Sequence, residues 1–470
     1  MKTYAIFLFV AFTGYASKAQ SQEIDFSGKS VLHVSYLEKP QQTVSLNISI
    51  YHSFPAYDYS EVNDSINENK LQAWLTIPTR LKQLGYLSIG EKNLEVFLIP
   101  NDTVHIVVSK SLSITFGGKT QPIQSYYLEK RRKFPIRPTQ MGMNIGIEAK
   151  NLADFKPQFD SITNEERGFW EQYRATHQLP DWFVRFESDA IQYDDAMLRL
   201  YMISYQIDYQ KKKQKIPTHY YDFLKQVTVR NTEAQYDYAY LMFLRDYINW
   251  RVRKSGLSNY EATFKKLTTQ ILGSKLANFF QLWTLSSGAK DNPEVTYNEL
   301  QKKQFLAEYA YLVSYLRERS TKVASVLKAG DKAPVFYLAD VKDSLVSLQQ
   351  FKGQIVYLCF WYAGCGGCLH EFPFENKLVQ QFKGKPVKIV SICTSTPLEK
   401  WQAVLKKEKL QTQNLFANLA WKKTLTEKYA ISTYPHYVLI DSNGKVVKNF
   451  ASRPSNNAAN EIQQLLDEAK

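Results

Sequence analysis

The sequence predicts a chain of three parts: an N-terminal all-β sandwich over residues 20–120, an α-helical middle domain over 121–325, and a C-terminal α/β domain over 328–470. Three observations predict it. Apolar residues alternate with period two as far as about Phe116. From about Gln124 to Val323 the period lengthens to the about 3.6 residues of an amphipathic helix. Strand-like and helix-like stretches then take turns to the C-terminus, which requires crossover connections and parallel strand pairs. With 470 residues the chain is long enough to bury two or three cores.

In the first part, residues 31–36 and 44–50 read as half-buried strands. Residues 94–99 and 104–108 flank Pro100-Asn101-Asp102, which favour a turn, and are expected to form a hairpin. A last strand, 112–116, ends at Gly117-Gly118. His33, His52 and His105 fall singly on strands or loops, and no catalytic constellation is visible.

In the middle part, Phe155, Phe159 and Ile162 recur at helical spacing, as do Tyr236, Tyr240, Phe243 and Tyr247. Pro180, Pro217 and Pro293 divide the region into blocks of one or two helices. The aromatic stripes are read as core packing. A peptide-binding groove or a dimer face is the alternative, and the oligomeric state is left open. Residues 321–332 hold few large apolar side chains and read as a linker.

The first residues read as a secretory signal. Lys2 precedes an apolar run over 4–12, and Ser17-Lys18-Ala19 offers small residues to a signal peptidase, so cleavage is expected between Ala19 and Gln20. The run is short for a membrane anchor, no cysteine follows it for lipid attachment, and no later segment reaches the ~20 apolar residues of a membrane helix. A soluble periplasmic protein is expected. Its 4 cysteines are too few for a disulfide framework. The net charge of +14 is spread along the chain in short clusters such as Arg131-Arg132-Lys133. That is the pattern of a solvated face, and nucleic-acid binding is not expected.

The chemistry concentrates in residues 355–373, IVYLCFWYAGCGGCLHEFP. Strand-forming residues run into Phe360-Trp361, a short turn presents Cys365, and Cys368 lies one helical turn further on. A helix N-terminus stabilises a thiolate, which makes Cys365 a nucleophile near neutral pH. Cys368 is close enough to attack the mixed disulfide and release the substrate. A zinc site would need two further ligands, yet Cys359 and Cys393 lie in apolar strands. Haem attachment would need C-x-x-C-H, and Leu369 intervenes before His370. A metal site and a plain structural disulfide stay open as alternatives to redox chemistry.

From Gly330 onward the chain resembles the TlpA/ResA-like thioredoxins, extracytoplasmic thiol–disulfide oxidoreductases of bacteria. The resemblance rests on Gly330, Ala333-Pro334 and Phe336 in a G-x-x-A-P-x-F-x-L opening, and on Ser347-Leu348 and Phe351-Lys352-Gly353 before the central strand. It continues through Phe360-Trp361, the two cysteines, Glu371 and Pro373, and ends with Thr433-Tyr434-Pro435 ahead of a strand. It implies a thioredoxin-like fold for the α/β domain, with Cys365 attacking and Cys368 resolving. It implies that Glu371 moves protons for Cys368; a solvated helix glutamate is the alternative. It places Trp361, Tyr434 and Pro435 at the substrate, with a cis Pro435 opposite the cysteines and the Tyr434 backbone free to pair with an extended chain. No cofactor is implied beyond the Cys365–Cys368 disulfide, and the implied partners are protein disulfides and a membrane electron donor. The 97–106 stretch, FLIPNDTVHI, likewise resembles the small β domain that often precedes such domains.

Three departures stand out. Gly366-Gly367 separates the cysteines where Gly-Pro or Glu-Pro is usual, and Gly364 stands where an aromatic residue is common. Cys359 occupies the strand position where thioredoxins carry a buried acid, so no proton relay is expected from that position and more weight falls on Glu371. The expected function is an exported reductase of protein disulfides. A peroxiredoxin-like peroxidase would need a P-x-x-x-[ST] approach to a lone cysteine, and none is present. A peptide- or partner-binding protein, working through its upstream domains, is the rival from another class.

Overall fold

The computed structural model describes residues 24–468 except positions 53, 55–57, 112, 211 and 292. The expected signal, residues 1–19, lies outside the described residues. The chain divides into two compact units, Met1–Phe280 and Gln281–Lys470.

The first unit opens with eight strands: β1 (Lys29–Tyr36), β2 (Val44–His52), β3 (Asp58–Ile66), β4 (Gln72–Pro78), β5 (Gln83–Ile89), β6 (Lys92–Leu98), β7 (Thr103–Val108) and β8 (Ile114–Gly117). They form two four-stranded sheets, ordered β4-β1-β7-β8 and β3-β2-β5-β6. The period-two pattern is realised in burial. Leu32 and Val34 of β1 and Ile48 and Ile50 of β2 point inward, and residues from both sheets share one apolar core. The expected hairpin of residues 94–99 and 104–108 does not form. β6 pairs with β5, while β7 runs parallel to β1 in the other sheet. Asn101, in the left-handed region at φ 64°, turns the chain between sheets. Alternation shows which face a side chain takes, not which strand lies alongside.

Helices follow: α1 (Gln121–Lys133), α2 (Pro138–Glu148), α3 (Leu152–Thr176), α4 (Asp181–Ile203), α5 (Tyr238–Ser255) and α6 (Tyr260–Asp291), which bends at Gly273 (φ 74°, ψ 170°) and crosses the unit boundary. Pro180 caps α4 and Pro217 precedes a short 3-10 turn, Tyr220–Gln226. Phe97 of β6 packs with Tyr126, Tyr127, Trp170 and Phe183 of the helices in a second core. Gln124 of α1 binds the Phe97 backbone both ways, accepting from its N–H at 2.9 Å and donating to its carbonyl at 2.8 Å. The sequence reading divided the chain at 120 and 325; this shared core is the reason that strands and helices up to Phe280 form one compact body.

The second unit adds α7 (Pro293–Lys302) and α8 (Ala310–Ala324), so the first residues of the expected linker are helical, and Leu327 is buried in a core. Then come β9 (Tyr337–Asp340), β10 (Leu345–Ser347), β11 (Ile355–Trp361), α9 (Gly366–Gln381), β12 (Val387–Cys393), α10 (Leu398–Glu408), β13 (Gln413–Phe416), α11 (Leu419–Lys428), β14 (His436–Ile440), β15 (Val446–Asn449) and α12 (Ala458–Glu468). One seven-stranded sheet runs β10-β9-β13-β12-β11-β14-β15. β11, β12 and β13 are mutually parallel neighbours, and β14 and β15 add antiparallel pairs. β11 is buried at all 7 positions because helices cover both sheet faces. Val356, Leu358 and Phe360 pack into one core, and Ile355, Tyr357 and Cys359 into the opposite one. Among the described residues no helix is long and apolar enough to cross a membrane.

Candidate active site

The buried strand β11 fixes where the site begins. Its last carbonyl, on Trp361, accepts the Thr394 N–H at 2.8 Å, and the Cys365 N–H closes a turn onto the Tyr362 carbonyl at 3.0 Å. Cys365 is thereby set as the N-cap of α9. Its sulfur accepts the Cys368 N–H at 3.0 Å, an N–H shared with the Cys365 carbonyl at 3.0 Å, so a first-turn helix N–H points at the atom that would carry a thiolate's charge. Cys365 and Cys368 are joined as a disulfide. In the disulfide Cys365 keeps only 5 % exposure, while Cys368 has 0 %.

Pro435 lies opposite. The Tyr434–Pro435 peptide bond is cis, and Pro435 Cδ sits 3.5 Å from where a Cβ on Gly367 would stand. The Tyr434 hydroxyl accepts from Thr394 Oγ1 at 2.7 Å, and its ring meets Tyr362 edge-on at 5.3 Å. Tyr362, Tyr434 and Pro435 therefore come together around the dithiol. Trp361 differs from the sequence reading. It is buried, with its ring edge-on to Phe372 of α9 at 5.0 Å, and supports the helix from beneath instead of meeting substrate. β11 is covered on both faces as far as its last residue, and the turn that follows leaves the half-buried Tyr362 to take the rim.

Glu371, one turn past Cys368, is buried and not on a solvated face. Both its oxygens accept from Ser455, from the N–H at 2.9 Å and from the hydroxyl at 2.7 Å. Ser455 comes from the turn before α12 and carried no sequence signal. Glu375 is a second buried carboxyl that the sequence reading missed. It accepts from Ser391 Oγ at 2.9 Å, Ser391 in turn accepts from Thr412 at 2.8 Å, and the Cys359 thiol lies alongside. Burial pushes Glu375 up to about 7, against the lowering effect of the Ser391 bond. The strand position of Cys359 does lack an acid, but α9 brings one to the same place. A signal was present: Glu375 stands seven residues after Cys368 and four after Glu371, on the inward face of α9. Cys359 and Cys393 are free and buried; burial holds Cys359 well above the ordinary thiol range and pushes Cys393 up to about 12. Both are poor nucleophiles.

A dithiol at a helix N-terminus, on a central parallel strand and facing a cis-proline, defines a protein of thioredoxin architecture. The Redoxin family profile matches residues 328–466. The chain is similar to the thiol-disulfide oxidoreductase ResA of Bacillus subtilis (strain 168), 32% identical over 122 residues, covering 26% of this chain and 66% of that protein. It is 28% identical over 124 residues to ResA of Bacillus thuringiensis subsp. konkukian, covering 26% of this chain and 69% of the relative. A solved thioredoxin domain of a thiol-disulfide oxidoreductase from Bacteroides vulgatus is 31% identical, with 30% of this chain and 99% of that one covered and a TM-score of 0.29. The family match and the two relatives place the C-terminal third among the ResA/TlpA-like thioredoxin-fold domains, and the chain is a thiol–disulfide oxidoreductase.

Proposed function

We propose that this chain is an exported reductase of protein disulfides, acting in the periplasm after removal of residues 1–19. The observation that carries this reading is the dithiol at the head of α9, with Pro435 across from it and the buried Glu371 one turn along. The Cys365 thiolate attacks a substrate disulfide, forms a Cys365–substrate bond and releases the first substrate thiolate. Glu371 takes the proton of Cys368, whose sulfur then attacks Cys365 Sγ and releases the second substrate thiolate. Two electrons pass to the substrate and the Cys365–Cys368 disulfide remains. A dithiol donor at the membrane restores the electrons by the reverse exchange. Tyr362, Tyr434 and Pro435 form the rim on which an extended substrate lies, and Trp361 positions the helix. The two upstream sheets are read as a β-sandwich, which with the helices after it forms the rest of the three-part chain.

The test is mixed-disulfide trapping in a producing cell. Cys368→Ala leaves Cys365 bonded to its substrate with nothing to resolve the bond, and adducts on Cys365 are expected. Cys365→Ser is expected to lower disulfide reduction by at least ~100-fold. Absence of adducts, together with full biological activity of Cys365→Ser, would sink the reading in favour of a partner-binding protein.

A further inference from the structure

The first unit contains a cavity of about 470 Å³ that takes no part in the dithiol chemistry. It lies between strands β2, β5 and β6 and helices α1, α2, α3 and α4, with the start of α5 at its edge. Tyr51 and Tyr238, 61% and 44% exposed, stand at its mouth. Its size is that of a site for a small organic molecule or one side chain of a larger one.

Five carboxylates face three cations on its walls, and His52 lines it too, its ring nitrogens engaged by Ser60 Oγ at 2.9 Å and the Gln83 amide at 3.3 Å. Two of the cations are already committed. Arg137 Nε donates to Glu95 at 2.6 Å with its guanidinium 4.8 Å from the Tyr86 ring centroid. Lys130 Nζ reaches Glu187 at 2.7 Å and Glu166 at 2.8 Å, while the Tyr126 and Tyr127 hydroxyls donate to the Glu187 oxygens at 2.6 Å each. The third cation, Lys82, rests over the Trp182 ring at 4.3 Å. Asp194 and Asp237 are what remain. Each is half-buried, each lines the cavity, and neither side-chain carboxyl has a hydrogen-bond or ion-pair partner among the described residues.

Carboxyls surrounded by protein without donors are costly, and they hold on to protons. Burial pushes Asp194 up to about 7, with Glu166 and Glu187 adding to the rise and Lys130 and Arg137 opposing it. Burial pushes Asp237 up to about 8, with Asp189 adding and Lys82 opposing. Once both aspartates ionise, an anion entering here would meet five carboxylates against three cations, and a neutral apolar molecule would leave both aspartates without donors. An organic cation answers both needs, and the Tyr127, Phe186 and Tyr236 rings on the wall add favourable faces. We propose that this cavity binds an organic cation, a primary amine or guanidinium on an apolar stem, with Asp194 and Asp237 as its acceptors. Binding then drives protons off the two aspartates, so affinity rises with pH between about 6 and 8.

The test uses titration calorimetry on the full chain with 2-phenylethylamine, agmatine, and 3-phenylpropionate as an anion of similar shape. The amine and the guanidine are expected to bind, the anion is not, and cation affinity should rise by ~10-fold or more from pH 6 to 8.5. Asp237→Asn and Asp194→Asn, which keep side-chain shape, are each expected to weaken the cations by ~10-fold. A capped tripeptide with a central lysine distinguishes sources. Binding as tight as that of the free amine points to the basic side chain of a polypeptide, and weaker binding points to a small free amine. Equal binding of cation and anion, no binding of either cation at millimolar concentration, or a flat pH profile in the parent chain overturns the proposal. Because the pH profile and the anion comparison need no variant, a misfolded substitution does not protect it.

Discussion

Two buried titratable side chains in the second unit work in opposite senses. Glu375 has an ordinary value of 4.5 and is raised to about 7 by burial. Between those values the folded protein holds a proton that the unfolded chain has lost, so stability falls as pH rises through this window. His436 is held down to about 4, from an ordinary 6.5, by burial, with the Asn449 hydrogen bond opposing. Its contribution is full above 6.5 and is lost as pH drops toward 4. Comparing Glu375→Gln with the parent cancels His436. The variant is expected to gain on the order of 1–3 kcal/mol relative to the parent at pH 8 and almost nothing at pH 4.5. Urea unfolding at both pH values checks this; a gap that does not change with pH would show that Glu375 is ionised throughout. The family resemblance implied an active-site role for Glu371. Its burial was not legible, because the group that holds it, Ser455, is separated from it by 84 residues.

At the scale of elements, β11 ends at Trp361 and α9 begins beside Cys365, where the sequence reading put the strand end and the helix start, because a wholly apolar strand and two cysteines mark their junction unmistakably. β13, with 4 residues, is too short to show a period and was not foreseen. The Gly366-Gly367 pair, a departure from the family pattern, is not required by the backbone. Neither glycine has a positive φ, and a Cβ on Gly366 would meet nothing within 4 Å. Gly366→Ala is therefore expected to stabilise the oxidised protein by about 0.5 kcal/mol, by restricting the unfolded chain and favouring the first turn of α9. Thermal unfolding of the oxidised form measures it, and a lowered midpoint would reveal strain at the helix start. Gly367 is different in kind. A Cβ there would lie in van der Waals contact with Pro435, so this glycine shapes the gap between dithiol and rim.

At the scale of the molecule, the second unit buries complete cores on both faces of its seven-stranded sheet, with the dithiol cluster of Trp361, Phe372 and Trp401 as a third. A fragment of residues 281–470 is expected to unfold cooperatively and to reduce insulin disulfides within about threefold of the full chain. A fragment without a cooperative transition would mean that residues 1–280 complete its fold. Sequence by itself determined the three kinds of structure, the place of the dithiol and its chemistry. Period, helix-breaking residues and a C-x-x-C after an apolar strand are local, and local signals survive in one dimension. Tertiary structure alone decided which strands pair, that the β and helical parts share a core, that Trp361 lies beneath the site, and that Glu375, Asp194 and Asp237 are enclosed. Each of these depends on residues far apart in sequence meeting in space, and burial, which shifts a carboxyl's proton affinity, exists only once they have met.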